Sequence, residues 1–379
     1  LVPLCPRSIF AAQVLIFGSW ILGTRPALAE EEVRIAILAN QTHVDVSGAS
    51  LAIYDADSGE RIGAWDKKEV TLFPRAGGLR FSVARGTRKD LDAKRVLVEA
   101  KGGVRAGQGV YLGRIEIGLD GAQLYAINRL PLETYLLGIV GSEMNPDWPL
   151  EALKAQAVAA RTYALQRRMM MRAANKAYDL ESSVISQVYK GAERIRPSVI
   201  RAVKETHGEV MSWHHGLVEA LFHSTCGGKT RSAVAVFGRP VPYLVAEPCR
   251  WCRDSARHHW QLDVPLNELS SMLEGARLVK SKLKTFERKD GASTVSVHSK
   301  AGPKAISPKA VRAAMGYGVL FSDHFTAKTE GRFVHIEGSG FGHGVGMCQW
   351  GARGLALEGK SHEEILQHYY RGIRVQRIY

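Results

Sequence analysis

The sequence predicts an α+β protein, with a β-rich amino-terminal unit over residues 30–127 and a mixed helix-and-strand core over residues 128–379. Three observations predict it. Between residues 33 and 127 the chain runs through short β-branched or alternating segments, punctuated by Gly, Asp and Asn. Past Pro131 the apolar spacing changes to steps of three and four, the period of a helix face. Beyond residue 172 strand and helix patterns mix, including a strand/helix segment around 261–330.

The strand candidates are VRIAIL, HVDVSG, SLAIYDA, LRFSVAR, RVLVEA, YLGRIEIGL and QLYAINR. A first helix is expected over residues 132–140, just after Pro131. Gly-Ser-Glu-Met then reads as a turn carrying Glu143, and Asp147 as a helix cap. The second helix is expected from about Pro149, with Glu151 in its first turn, where the positive end of the helix dipole favours a carboxylate. Leu150, Leu153, Ala157, Ala160 and Ala164 form one apolar face, small enough for a neighbour to come close. A helix over 196–206 leads to the strand candidates EVMSW and LVEALFHST. A helix over 264–274 precedes a hairpin around Asp290-Gly291. Ser307 caps a helix over 308–315, and RFVHIEGSG delivers a glycine-rich loop. Ser361 and Glu364 have capping-box spacing for a last helix over 361–370.

A chain of 379 residues with net charge +14 can bury a large core and suits an acidic partner. It carries no aromatic-studded basic module or nucleic-acid motif, so DNA and RNA are not expected partners. Residues 1–29 read as an export signal: Arg7, an apolar run over 9–22, then the small-x-small site Ala27-Leu28-Ala29. Cys5 precedes that run. The protein is expected to be exported to the periplasm or cell wall.

SEMNPDWPLEALKAQAVAARTYAL at 142–165, FHSTCGGKT at 222–230, GFGHGVGMCQWGARGLA at 340–356 and HYYRGI at 368–373 together resemble the SpoIID/LytB family of stage II sporulation protein D and amidase-enhancer-like proteins. The resemblance spans residues 33–373 in order. It implies a peptidoglycan lytic transglycosylase with Glu143 as acid/base, acting on glycan strands stripped of stem peptides by an N-acetylmuramoyl-L-alanine amidase. The other role in the family is a non-catalytic, wall-binding amidase enhancer. An isolated loop glutamate is ordinarily just solvated. A single carboxyl suffices for transglycosylation, because the C6 hydroxyl of N-acetylmuramic acid replaces the water that ordinary hydrolases activate with a second carboxylate. Such a carboxyl must hold its proton near neutral pH, which an apolar or hydrogen-bonded pocket favours. Met144, Trp148 and Tyr163 are candidate lining residues by type. By residue type and resemblance, Arg161, His223, Ser224, Thr225, His343 and Gln349 line the glycan cleft, although the glycines around them can equally serve tight turns.

Some relatives carry a His and two Cys resembling zinc ligands before a QVY segment. Asn175, Glu181 and Ser186 stand at those positions here, so that site is absent. Cys226, Cys249, Cys252 and His258 instead have the types and spacing of a closed, structural Cys3His zinc site. A disulfide from Cys226 to Cys249 or Cys252, or free thiols, are the alternatives in an exported chain. Cys348 reads as a small packed residue.

Overall fold

The computed structural model describes residues 31–83, 86, 88–182, 189 and 191–379. The segment read as an export signal, with Cys5, lies outside the described residues, as does Ser186. The architecture is α+β, as the strand and helix patterns predict. The first ten strands are β1 (Glu32–Gln41), β2 (Val44–Asp55), β3 (Arg61–Trp65), β4 (Val70–Arg75), β5 (Gly78–Val83), β6 (Arg88–Leu91), β7 (Arg95–Ala106), β8 (Gly109–Tyr111), β9 (Arg114–Asp120) and β10 (Gln123–Pro131). They join one mixed sheet with β11 (Leu180–Glu181), ordered β11-β1-β10-β9-β7-β2-β4-β5-β6, with β3 on β2 and β8 on β7.

HVDVSG and SLAIYDA form one strand, β2, whose pairing with β7 shifts register between Ser47 and Ala49 and between Ala49 and Ala52. Bulges of this kind bend a long strand without ending it. The sequence patterns miss β3, β4, β6 and β8. β6 reads RKDL, three charged residues before one apolar one, and pairs with β5 partly through Arg80 Nε donating to Asp90 Oδ1 at 2.5 Å.

α1 (Leu132–Glu143) runs on directly from β10, and Met144 N still donates to Val140 O at 3.0 Å. Glu143 is therefore the last residue of a helix and not part of a turn. Gly141 suggests a turn but serves close packing: a Cβ there would stand 2.2 Å from the Arg194 carbonyl oxygen. α2 (Leu150–Ala173) is capped at Pro149 without a side-chain bond, so Asp147 does not cap it. Leu153, Ala157, Ala160 and Ala164 are fully buried, as the apolar spacing predicts. Burial extends around much of the helix, to Gln156, Arg161 and Thr162, because α2 lies amid several neighbouring elements.

Those neighbours include α1, α3 (Pro197–Glu205), β12 (Glu209–Trp213), α7 (Gln349–Leu357) and α8 (His362–Tyr369). Ser361 and Glu364 make the expected reciprocal capping box on α8. LVEALFHST, expected as a strand, yields only the ends of β13 (Gly216–Leu217) and the short β14 (Phe222–His223). α4 (Ala233–Phe237) and a tight helical turn over Arg250–Cys252 follow. One hydrophobic core runs from Val33 and Ile35 in the sheet through Leu136 and Leu153 to Met347 and Tyr369, so it crosses the expected boundary at residue 127.

A second core, from Trp260 to Ile336, belongs to an inserted segment. It contains β15 (His259–Pro265), α5 (Leu266–Gly275), β16 (Leu283–Glu287), β17 (Val295–Ser299), β18 (Gly302–Ile306), α6 (Pro308–Met315), β19 (Phe325–Glu330) and β20 (Phe333–Ser339). β16 and β17 form the expected hairpin, and Ser307 Oγ accepts from Ala310 N as the expected cap of α6. After this segment the chain returns through β21 (Met347–Cys348) to α7 and α8, and ends in β22 (Arg374–Arg377), which pairs with β12. No helix among the described residues is long and apolar enough to cross a membrane.

Candidate active site

Glu143 sits half-buried at the carboxyl end of α1. Gln349, the first residue of α7, reaches it across 206 positions of sequence: its Nε2 donates to Glu143 Oε2 at 3.3 Å. The same Nε2 donates to Gln156 Oε1 on α2, also at 3.3 Å. Gln349 and Gln156 are both buried. Three helices thus meet at one carboxylate through a row of two amides. Buried Tyr135, one helical face back from Glu143, feels its charge: burial, neighbouring Tyr189 and Tyr163, and then Glu143 hold the Tyr135 phenol well above its usual range. Met144 is buried beside the carboxylate in sequence, and Trp148 packs edge-on against Trp350 with ring centroids 5.1 Å apart. Sequence reasoning missed Gln156. Its signal was a lone amide on a helix face otherwise made of Leu and Ala.

The FHSTCGGKT and GFGHGVGMCQWG blocks lie against each other. β14 and β21 pair in parallel, with His223 opposite Cys348. Thr225 and Phe341 exchange backbone bonds at 3.1 and 2.7 Å, and Trp350 N donates to Ser224 O at 3.1 Å. A cleft of ≈ 230 Å³ opens between them, and Thr225 and His343 both line it. Thr225 Oγ1 is also 2.8 Å from Ser255 Oγ. His223 does not line this cleft: it is buried, with Nδ1 3.2 Å from Val345 O. Ser224 is half-buried, with its Oγ 3.4 Å from Thr225 Oγ1. A larger cavity of ≈ 550 Å³ lies on the inserted segment, around His259, Trp260 and Phe325, and includes none of the expected site residues.

Burial sets the charge of both histidines. Desolvation, then the neighbouring His343, pushes His223 down to about 3. Desolvation pushes His343 down to about 4, against an opposing hydrogen bond to Phe222 O. Both rings are neutral at pH 7. A base whose folded pKa is depressed contributes a loss of stability as pH falls below its unfolded value near 6.5 toward the folded one. His343 is only half-buried and lines the cleft, so the slope it contributes stays below the ~1.4 kcal/mol per pH unit of one whole proton. His343→Asn keeps an acceptor for Val345 N, which now bonds His343 Nδ1 at 3.1 Å, and should flatten the slope. Urea unfolding between pH 7 and pH 4 measures it, and an equal slope in both proteins would contradict the assignment.

The structure corrects the expectation for Arg161. Its side chain is completely buried, with Nε and Nη2 donating to the two Glu133 carboxylate oxygens at 2.7 Å each and Nη1 to Glu209 O at 3.1 Å. No face is left for a sugar. Burial pushes the Glu133 carboxyl up, but the Arg161 bonds outweigh it and hold the group below its usual value. Arg161 ties α2 to α1 and β12.

The cysteines also fall differently from the expected Cys3His set. Cys226, Cys249, Cys252 and Cys348 bring their sulfurs within 4.8 Å of one another, and no disulfide joins any of the four. His258 is not one of that group: its Nδ1 lies 3.3 Å from Cys252 Sγ, against the outside of the cluster. The sequence spacing hid Cys348, which arrives from 96 positions beyond Cys252 by the pairing of β21 with β14.

Comparison with known proteins places the chain. A family model described as Stage II sporulation protein (SpoIID) matches residues 120–213, which include Glu143 and all of α2. The chain is 36% identical over 254 residues to an uncharacterized protein of Brachyspira hyodysenteriae, covering 66% of this chain and 68% of that protein. It is 30% identical over 274 residues to stage II sporulation protein D of Bacillus subtilis, covering 66% of this chain and 76% of that protein. To the amidase enhancer of Bacillus subtilis it is 29% identical over 290 residues, covering 62% of this chain and 39% of the enhancer. On these similarities the chain belongs to the stage II sporulation protein D family.

Proposed function

We propose that this protein is an exported lytic transglycosylase that cuts the glycan strands of peptidoglycan, with Glu143 as its acid and base. The observation that carries this reading is the bond from Gln349 to Glu143, which joins the carboxylate of one sequence block to the glycine-rich block. In the reaction, protonated Glu143 gives its proton to the glycosidic oxygen as the bond from that oxygen to C1 of N-acetylmuramic acid breaks. The C6 hydroxyl of the same sugar then forms a bond to C1 and returns its proton to Glu143. No water is consumed, and the new chain end is a 1,6-anhydro sugar. Gln349, itself anchored on Gln156, holds the carboxylate in place. Positioning of this kind is worth several powers of ten when the reacting atoms are in line.

The net charge of +14 supports attraction to an anionic wall, and the apolar run over 9–22 supports export to the periplasm or cell wall. Glycan already stripped of stem peptides, the substrate that the family resemblance implies, is the preferred one. An N-acetylmuramoyl-L-alanine amidase would supply it. The second reading is an amidase enhancer that cuts nothing itself, favoured by the similarity to the Bacillus subtilis protein of that name. Purified protein incubated with denuded glycan should release soluble sugar fragments, faster than from peptide-bearing wall. Uncut glycan together with stimulation of an added amidase would transfer the assignment to the enhancer.

A further inference from the structure

We propose that Cys226, Cys249, Cys252 and Cys348 bind one zinc ion as a closed tetrathiolate, which staples three separate chain segments together beneath the candidate site. The four sulfurs already lie within 4.8 Å of one another, with Cys226 and Cys252 at 3.5 Å. Zinc–sulfur bonds of ~2.3 Å in a tetrahedron need sulfurs ~3.8 Å apart, so each has to move by less than about 1 Å. Soft thiolates select zinc over magnesium or calcium. Four protein ligands leave no open position, so the ion is structural.

Cys249, Cys252 and Cys348 are completely buried, and Cys226 is half-buried. Backbone N–H groups donate to the cluster and two groups able to donate stand beside it, while Cys252 Sγ and Cys348 Sγ also lie 3.6 and 3.7 Å from the carbonyl oxygens of Cys249 and Ser224. The backbone N–H of Cys226 and that of Gly351 both donate to Cys348 Sγ at 3.3 Å. The Tyr369 hydroxyl lies 3.2 Å from Cys249 Sγ, and His258 Nδ1 lies 3.3 Å from Cys252 Sγ. A neutral thiol is a weak acceptor and gains little from such a shell. A zinc tetrathiolate carries two negative charges and needs it, and outer donors of this kind orient and tune metal ligands. Gly351 has no room for a side chain: a Cβ would stand 2.5 Å from Cys249 Sγ and 2.0 Å from the Tyr369 hydroxyl oxygen. Helix α7 therefore presses its backbone onto the cluster.

The segments held are the stretch just after β14 that carries Cys226, the turn CRWC, and the start of α7. Cys348 caps α7 by accepting from Gly351 N, and the next residue is Gln349, which bonds Glu143. The ion would thus fix the origin of the amide that holds the carboxylate. His258 is assigned to the outside of the site and Cys348 to its fourth corner.

The test is metal analysis of the full chain purified without added zinc, beside Cys348→Ser and His258→Ala. The expected result is about one zinc in the wild type and in His258→Ala, the latter binding ~10-fold or more weakly in chelator competition. Cys348→Ser, checked for folding by circular dichroism, should hold far less than one zinc. Cobalt in the wild-type chain should show the thiolate charge-transfer intensity of four sulfurs, a readout that needs no variant to fold. An intramolecular disulfide with no zinc would overturn the proposal. So would a folded Cys348→Ser protein that keeps its zinc, or cobalt spectra of three sulfurs and a nitrogen. None of these measurements uses a sugar, so they stand apart from the reaction proposed above.

Discussion

Glu143→Gln is expected to abolish glycan cleavage, a loss on the order of 10²-fold or more, in a protein that folds normally. Glutamine matches glutamate in size but has no proton to give a leaving oxygen. Its amide oxygen can still accept from Gln349 Nε2, which donates to Glu143 Oε2 at 3.3 Å, so the row of amides through Gln156 survives. Circular dichroism and melting temperature should match the wild type, while release of sugar fragments from denuded glycan stops. A folded variant that cuts at the wild-type rate would remove Glu143 from the mechanism.

Arg161→Met is expected to destabilise the protein by about 3–5 kcal/mol, because it strands the partner charge of a buried pair. Among the described residues Glu133 would keep only the Tyr379 hydroxyl, which donates at 2.6 Å, and its side chain is 11% exposed, too little for water to replace the lost guanidinium. Replacing both partners, Arg161→Met with Glu133→Leu, should recover much of the loss, since two apolar groups leave nothing unpaired. Urea unfolding measures all three proteins. A cost below about 1 kcal/mol for Arg161→Met would mean that the pair is not the clamp between α1 and α2, and would reopen a role for Arg161 toward substrate.

The helical half of the fold was legible because its signals are local. Spacing along α2 marked Leu153, Ala157, Ala160 and Ala164, and Ser307 and Ser361 marked their helices. The sheet was harder to read. β6 carries Arg88, Lys89 and Asp90 and looks like a charged loop until β5 lies beside it. The same limit shaped the site. Short motifs marked Glu143, Thr225, His343 and Gln349, but whether a polar side chain faces solvent or a buried partner depends on elements far away in sequence. Arg161 and Glu133 are 28 positions apart and His223 and Val345 are 122 apart, and in both pairs the partner takes the polar group inward. In the sequence Cys348 looks like a packing residue, because its three companion cysteines meet it only after β14 and β21 pair.

One carboxylate working with the C6 hydroxyl of its own substrate leaves its signature in the chemistry of the new chain ends. Denuded glycan is digested in ¹⁸O-labelled water and the products are read by mass spectrometry. The C6 hydroxyl, held against C1, has an effective concentration of about 10⁵ M or more, far above that of water. The expected products therefore end in 1,6-anhydro-N-acetylmuramic acid and carry no label. Reducing ends carrying ¹⁸O would contradict this mechanism, even if Glu143 proved essential.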